Sequence, residues 1–374
     1  MKTVLISPRK YVQGRGVLGE IGHWAGMLGR KPLVLWDAGV KQIVGATVLA
    51  SLRQAGLEPI EVVFGGESSK DEANRVAQLA RDAKADVIIG AGGGKTLDTA
   101  KAAAVYANLR MMTVPTIASN DSPTSAATVW YDAQGNCTGF DCWPFNPDIV
   151  LVDSQVIANA PVRTFVAGMG DALSTWLEAE AAYKTRALNL GGGVSTMAAM
   201  ALAKLCYETL MTYGVEARRA VERKVVTPAV EKCIEANVLL SGMGFESGGL
   251  ATSHAIANAL PSFDECKHLM HGEKVGFGVI SQLCLDDEFD MDELYAIVDF
   301  EIAIGLPVTF ADINLPGVSR ERLMKVGEIC AAPGSIAHSH PFKITPDAVV
   351  DAMIAADALG TVRKQVLDLD EEEV

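Results

Sequence analysis

The chain lacks any C-x-x-C pair: its seven cysteines (Cys137, Cys142, Cys206, Cys233, Cys266, Cys284 and Cys330) are odd in number and scattered. Such usage points neither to a zinc ribbon nor to a redox dithiol, and it suits reduced thiols in a cytosol. No apolar run reaches membrane-spanning length, and the opening Met1-Lys2-Thr3-Val4-Leu5-Ile6-Ser7-Pro8 is too short for a signal peptide. A soluble cytoplasmic protein is therefore expected. Positive charge is also in deficit. A net charge of −14 repels polyanions, which argues against a nucleic-acid or anionic-membrane partner. The acidic excess is dispersed, apart from Asp368-Leu369-Asp370-Glu371-Glu372-Glu373, which reads as a solvated, frayed end. Aromatics are few, while alanine and glycine are abundant, as in an ordinary globular protein. The 374 residues suffice for two domains with separate cores.

The first part of the chain alternates short apolar strands with amphipathic helices. Strands are expected at Pro32–Trp36, Ile60–Phe64, Asp86–Ala91 and Met111–Pro115, with helices at about Val44–Ala55, Asp71–Ala83 and Thr99–Tyr106 between them. Helices of this length between strands imply right-handed βαβ units and a parallel sheet. Around 125–160 the pattern changes to strand and turn, with Asp132-Ala133-Gln134-Gly135-Asn136 as a hairpin tip and Asp148–Asp153 as a last strand. From Pro161 the apolar spacing becomes helical, over Thr164–Thr185, Ser195–Thr212 and Thr227–Met243, then Ser253–Leu260, Gly272–Leu285, Met291–Ile304, Ser319–Ile329 and Pro346–Leu359. The expected architecture is a Rossmann-like α/β nucleotide domain with a parallel sheet over 1–160, followed by an all-α domain over 161–374.

One segment concentrates chemistry. Gly92-Gly93-Gly94-Lys95-Thr96-Leu97-Asp98 follows a strand and opens a helix, so backbone N–H groups and a favourable dipole face an anion. A Walker A loop would need glycine where Ile89 stands. The dinucleotide fingerprint G-x-G-x-x-G would need it at Leu97 or Asp98. The loop is thus a phosphate cradle of another kind, or a glycine-rich turn without a ligand.

Only six histidines are present. His23 falls in an amphipathic helix, and His338 and His340 share a loop. His254 sits mid-helix among small and apolar residues, and His268 and His271 lie three apart where another helix opens. Asp171, flanked by Gly168 and Gly170, precedes a long apolar helix; burying its carboxylate there requires a cation or several donors. One carboxylate and two imidazoles from separate helices would form a three-ligand site with an open position, the arrangement of catalytic zinc. A capping aspartate with two core histidines is the plainer alternative, and spacing alone leaves both open.

Taken together, Gly92–Lys101, the run Pro115-Thr116-Ile117-Ala118-Ser119-Asn120-Asp121-Ser122-Pro123, Gly170-Asp171-Ala172-Leu173 and the His254 and His271 contexts resemble the glycerol dehydrogenases. These form a family within the iron-containing alcohol dehydrogenase and dehydroquinate synthase-like superfamily. The resemblance spans nearly the whole chain in order. It implies NAD-dependent, zinc-dependent oxidation of glycerol to dihydroxyacetone, with Asp171, His254 and His271 as metal ligands. It also implies that Gly92, Gly93, Gly94 and Lys95 hold the cofactor pyrophosphate, with further cofactor contacts from Asp98, Thr116, Ser119, Ser125, Ala127 and Tyr131. At Ala127 the contact would come from the backbone. Asp121 matches the contact to a substrate hydroxyl, and Phe245 a wall of the glycerol pocket. A homo-oligomer, with the octamer among the options, is implied as well.

Charge and chemistry agree with these roles. Asp37, at the end of its strand, is placed to accept the ribose hydroxyls of NAD and to repel the 2′-phosphate of NADP, although a helix cap is an equal alternative. Iron-dependent members carry a histidine one helical turn beyond the aspartate ligand; here that position is Thr175, so three ligands and zinc are expected. His268 is left out of the set. The competing readings are sn-glycerol-1-phosphate dehydrogenase, a lyase of the dehydroquinate synthase type, and a nucleotide-binding regulator with a structural metal. The first two need clustered cations for their anionic substrates, and the segments around His254 and His271 offer little beyond Lys274.

Overall fold

The computed structural model describes residues 1–372, with side chains through 367; the acidic run 368–373 lies outside the described side chains. In chain order the elements are β1 Lys10–Gly14, α1 Ile21–Gly26, β2 Pro32–Trp36, α2 Ala38–Gln54, β3 Ile60–Val63, α3 Lys70–Asp82, β4 Val87–Gly92, α4 Gly94–Ala107, β5 Arg110–Pro115, β6 Ala127–Tyr131, β7 Cys137–Cys142 and β8 Ile149–Asp153. The helices α5 Ser154–Asn159, α6 Val162–Thr185, α7 Met197–Glu222 and α8 Pro228–Glu235 follow, then a π turn Ala236–Leu240 and α9 Ser241–Gly248. The remaining helices are α10 Thr252–Ala259, α11 His271–Leu283, α12 Met291–Ile304, α13 Arg320–Cys330 and α14 Pro346–Glu372.

Two compact units emerge. The α/β unit comprises Ile6–Phe165 with Ala220–Gly242; the helical unit comprises Met1–Leu5, Val166–Arg219 and Met243–Val374. The chain therefore passes between units more than once, not at a single point near 160. In the first unit six parallel strands run in the order β1-β8-β5-β4-β2-β3. The inner strands β2, β4, β5 and β8 are buried almost throughout and read as largely apolar runs because both faces are covered, whereas the edge strands β1 and β3 are partly exposed. Val34 and Trp36 pack with Val48 and Leu52 of α2 on one side. Leu33 and Leu35 pack with Val76 and Ala80 of α3 on the other. Strands β6 and β7 form a separate antiparallel hairpin. At its tip Asp132 Oδ1 accepts the N–H groups of Gln134 (2.9 Å) and Asn136 (2.8 Å).

The expected strands and the parallel sheet are present, and beyond residue 160 the described residues add no strand, only an isolated bridge between Thr3 and Val194. Differences fall at element ends. Helix α2 begins at Ala38, well before Val44, because Asp37 caps it: Oδ1 accepts from Gly39 N (2.9 Å) and Val40 N (3.2 Å). Helix α4 likewise begins at Gly94, not Thr99, since glycine spacing hides the first turn. The expected single helix Thr227–Met243 is interrupted by the π turn, and the partly exposed strand β1 has too little apolar pattern to be read.

Among the described residues no helix is long and apolar enough to cross a membrane.

Candidate active site

The chain runs from β2 outward to β3, then returns to β4 on the opposite side of β2. Strand order thus reverses between β2 and β4, and the crevice beyond their carboxyl ends is where sheets of this kind take nucleotides. Asp37 leaves β2 there and Gly92 ends β4, the two joined by a bond from Asp37 N to Ala91 O (3.1 Å). The glycines are required by close approach of three segments. A Cβ at Gly92 would stand 2.9 Å from Thr96 Cβ and 3.1 Å from Asp37 Cβ, one at Gly93 3.0 Å from Ile117 Cδ1, and one at Gly94 2.8 Å from Asn120 Nδ2. Gly93 caps α4 without a side-chain hydrogen bond, so no side chain takes the place of an anion at this helix N-terminus.

Most of the other residues expected at the cofactor are gathered around this helix. Thr116 N donates to Gly92 O (3.1 Å), and half-buried Ser119 lies three residues further along the same segment. Lys95 Nζ pairs with Glu67 (2.5 Å) over the Tyr131 ring, 4.5 Å from its centroid. Burial, helped by Asp98, Cys137 and Glu67, pushes the Tyr131 phenol well above its ordinary range. Asp98 has an internal role: Oδ1 accepts from Ser122 Oγ (2.6 Å) and Lys101 Nζ (2.9 Å), and Oδ2 from Val129 N (2.9 Å). Lys101 is fully buried and also donates to the carbonyls of Ser122 (2.8 Å) and Ser125 (3.1 Å). This pair fixes the segment that carries Asp121, Ser125 and Ala127. Asp121 itself is half-buried.

The second cluster lies in the helical unit. Asp171 on α6, His254 on α10 and His271 at the start of α11 bring their ligand atoms within 4.8 Å of one another. Asp171 Oδ1 is 3.4 Å from the Nε2 atoms of both histidines. Small residues permit this convergence. A Cβ at Gly272 would sit 1.7 Å from Ala167 O, one at Gly170 2.4 Å from Gly272 O, and one at Gly278 2.4 Å from Ser253 O, so the helix backbones touch where the three side chains converge.

Glu178 completes the cluster, and sequence reading missed it. It stands seven residues after Asp171, two turns along the same face of α6, and is fully buried. Its Oε2 lies 2.5 Å from His254 Nδ1, and its Oε1 accepts the N–H groups of Ala251 and His254, both at 2.9 Å. Holding Nδ1 as the donor would leave Nε2 as the nitrogen able to meet a metal, the usual role of a carboxylate behind a metal-binding imidazole. Burial lowers the basicity of His254, but the charge of Glu178 and the bonds to Asp171 and Glu178 outweigh it and leave the pKa well above normal. Burial dominates at His271 and takes it down to about 4, with His254 and Lys274 acting in the same sense and Asp171 opposing. Two buried carboxylates beside two imidazoles make a donor set that a divalent cation would neutralise, and the residues fit such an ion.

The remaining candidates stand apart from this set. Thr175 is buried against Gly244, where a Cβ would lie 2.3 Å from its Cγ2. His268 is exposed, His340 stacks on Phe342 (4.8 Å), and His23 packs edge-on against Trp24 (4.9 Å). Phe245 is buried on α9.

Residues 8–154 match the family model described as iron-containing alcohol dehydrogenase. A glycerol dehydrogenase of Citrobacter freundii is 44% identical over 96% of this chain and 98% of its own. A glycolaldehyde reductase of Halobacterium salinarum is 43% identical over the same shares. The crystal structure of glycerol dehydrogenase from Schizosaccharomyces pombe superposes with a TM-score of 0.94 at 35% identity, covering 98% of this chain and 93% of that one. Full-length likeness of this order, on this fold, makes the chain an oxidoreductase. It belongs to the iron-containing alcohol dehydrogenase family, on the branch of the glycerol dehydrogenases.

Proposed function

We propose that this chain oxidises glycerol to dihydroxyacetone with NAD, reversibly, using zinc held by Asp171, His254 and His271. The convergence of those three side chains, with Glu178 fixing the His254 tautomer, carries the reading. Zinc supplies Lewis acidity to an alcohol oxygen and NAD supplies the hydride acceptor. The protein's own residues do the rest. Gly92–Gly94 and the first turn of α4 hold the pyrophosphate, with Lys95, Thr116, Ser119, Ser125, Ala127 and Tyr131 as further cofactor contacts. Asp98 serves this surface from behind. Asp37 selects NAD over NADP by charge. Asp121 orients the hydroxyl next to the reacting carbon, which favours a vicinal diol over a simple alcohol, and Phe245 excludes water as a wall of the substrate pocket. Zinc is preferred to iron because α6 offers Thr175 where a fourth, imidazole ligand would stand. The active assembly in this reading is a homo-oligomer.

A second reading reverses the direction on a neighbouring substrate, the reduction of glycolaldehyde, and is supported by the likeness to a protein so named. The same residues serve both, since each substrate carries a hydroxyl beside the reacting carbon. A phosphorylated substrate fits less well: Lys101, the cation beside the Asp121 segment, is buried and committed to carbonyls. Comparing steady-state rates with glycerol and NAD against those with glycolaldehyde and NADH, with and without a chelator, tests the proposal. No turnover of either substrate, or rates indifferent to chelation, would refute it.

A further inference from the structure

The segment Thr116–Ser125 carries Asp121 but has no regular structure of its own. It is nevertheless held from several sides. Asn237 Nδ2 donates to the carbonyl of Ala118 (3.1 Å), Thr113 Oγ1 to that of Pro123 (2.7 Å) and Asn146 Nδ2 to that of Thr124 (2.9 Å). Asn237 belongs to the π turn Ala236–Leu240, where Ser241 N reaches back five residues to Ala236 O. A π turn widens a helix by one residue and is a costly irregularity that tends to be kept where it does something.

Here the irregularity accommodates Thr124. Its hydroxyl donates to the carbonyl of Val238 inside the π turn. The side chain occupies the notch left by Gly242, where a Cβ would stand 1.9 Å from Thr124 Oγ1 and 3.2 Å from the carbonyl oxygen of Asp121. Thr124 N also donates to Asp121 O (3.2 Å), so Thr124 and Asp121 are the two ends of one turn. Displacing one displaces the other.

We infer that the π turn and Gly242 form a socket for Thr124, which makes Thr124 a positioning residue that sets Asp121 against the substrate. The inference rests on reading Asp121 as the contact to the substrate's second hydroxyl. Misplacement of such a contact by a fraction of an ångström is felt in turnover, because orientation carries much of a reaction's advantage.

Thr124→Val keeps the shape and removes the hydroxyl, while Thr124→Ser keeps the hydroxyl. Kinetics with glycerol are compared with those for 2-propanol, a secondary alcohol that lacks the neighbouring hydroxyl. Thr124→Val should lower kcat/KM for glycerol about tenfold, the order expected from one lost buried hydrogen bond. The loss for 2-propanol should be smaller, and KM for NAD and bound zinc should be unchanged. Thr124→Ser should restore the glycerol rate. In an Asp121→Asn background Thr124→Val should cost nothing further, because its effect passes through Asp121. Equal losses on both alcohols, additive losses in the double variant, or unaltered glycerol kinetics in Thr124→Val overturn the inference. Should Thr124→Val not fold, the contrast between Thr124→Ala and Thr124→Ser carries the same outcomes. If Asp121→Asn alone leaves glycerol kinetics intact, the Asp121 reading fails and takes the socket's role with it. An impaired Asp121→Asn beside a normal Thr124→Val refutes the socket alone.

Discussion

Replacing Glu178 by glutamine isolates the part of the cluster that touches neither metal nor substrate. The change preserves volume and keeps one oxygen to accept the N–H groups of Ala251 and His254, which now bond Oε1 at 2.9 Å. The start of α10 therefore stays capped and the fold persists. What changes is the partner of His254 Nδ1, now 2.5 Å from a carboxylate oxygen. An amide NH2 at that place donates, so either two donors face each other or the ring moves its proton to Nε2, the atom that the proposed metal site needs. A charge-assisted hydrogen bond is worth about 1.5–3 kcal/mol. Since 1.4 kcal/mol is a factor of about ten, the zinc dissociation constant should rise roughly 10- to 100-fold. The assay is zinc binding by chelator competition on the apoprotein of both forms, with thermal unfolding of the apo state as control. Unaltered affinity in a folded Glu178→Gln protein would refute the reasoning.

Four further outcomes follow from the same contacts. Asp121→Asn should raise KM for glycerol while changing 2-propanol kinetics less, measured under steady state. Asp37→Ser keeps a cap for α2 but removes a charge, so NADP use should rise at nearly constant Tm; Asp37→Ala should also lose about 1 kcal/mol of stability in denaturant unfolding. Lys101→Met leaves Asp98 as a buried charge with its cation gone and should cost about 3–5 kcal/mol by the same measurement. Glu301 is fully buried with neither carboxylate oxygen hydrogen-bonded, and desolvation pushes its pKa well above the usual carboxylate range. Its unfolded form ionises first as pH rises past about 4.3, so stability is full below that value and is lost as pH climbs toward the raised folded pKa. Glu301→Gln should thus raise Tm at neutral pH, with the gap closing in acid.

How much could be read from sequence varies with the physics of each element. Strands such as Pro32–Trp36 and Val87–Gly92 are buried on both faces and announce themselves as apolar runs. Strand β1 is mostly half-exposed and carries no such signature. Helix starts at glycine or behind a capping aspartate were hidden, as α2 and α4 show, because periodicity needs a full turn of side chains to register. The ligand candidates Asp171, His254 and His271 were legible as polar groups in apolar surroundings, but only the structure brings them together. Glu178 offered a signal, a carboxylate seven residues after Asp171 on the same apolar helix, that went unread. The π turn offered none: the side chain that bonds into it, Thr124, stands more than a hundred residues away in sequence.

The central claim is that Asp171, His254 and His271 hold a zinc ion on which NAD-dependent glycerol oxidation depends. The most direct measurement strips the protein with a chelator, assays NAD reduction with glycerol, and then titrates zinc back into wild type and His271→Ala. The account predicts loss of turnover on stripping, recovery at about one zinc per chain in wild type, and no recovery in His271→Ala. Turnover that survives stripping, or full recovery in His271→Ala, would contradict it.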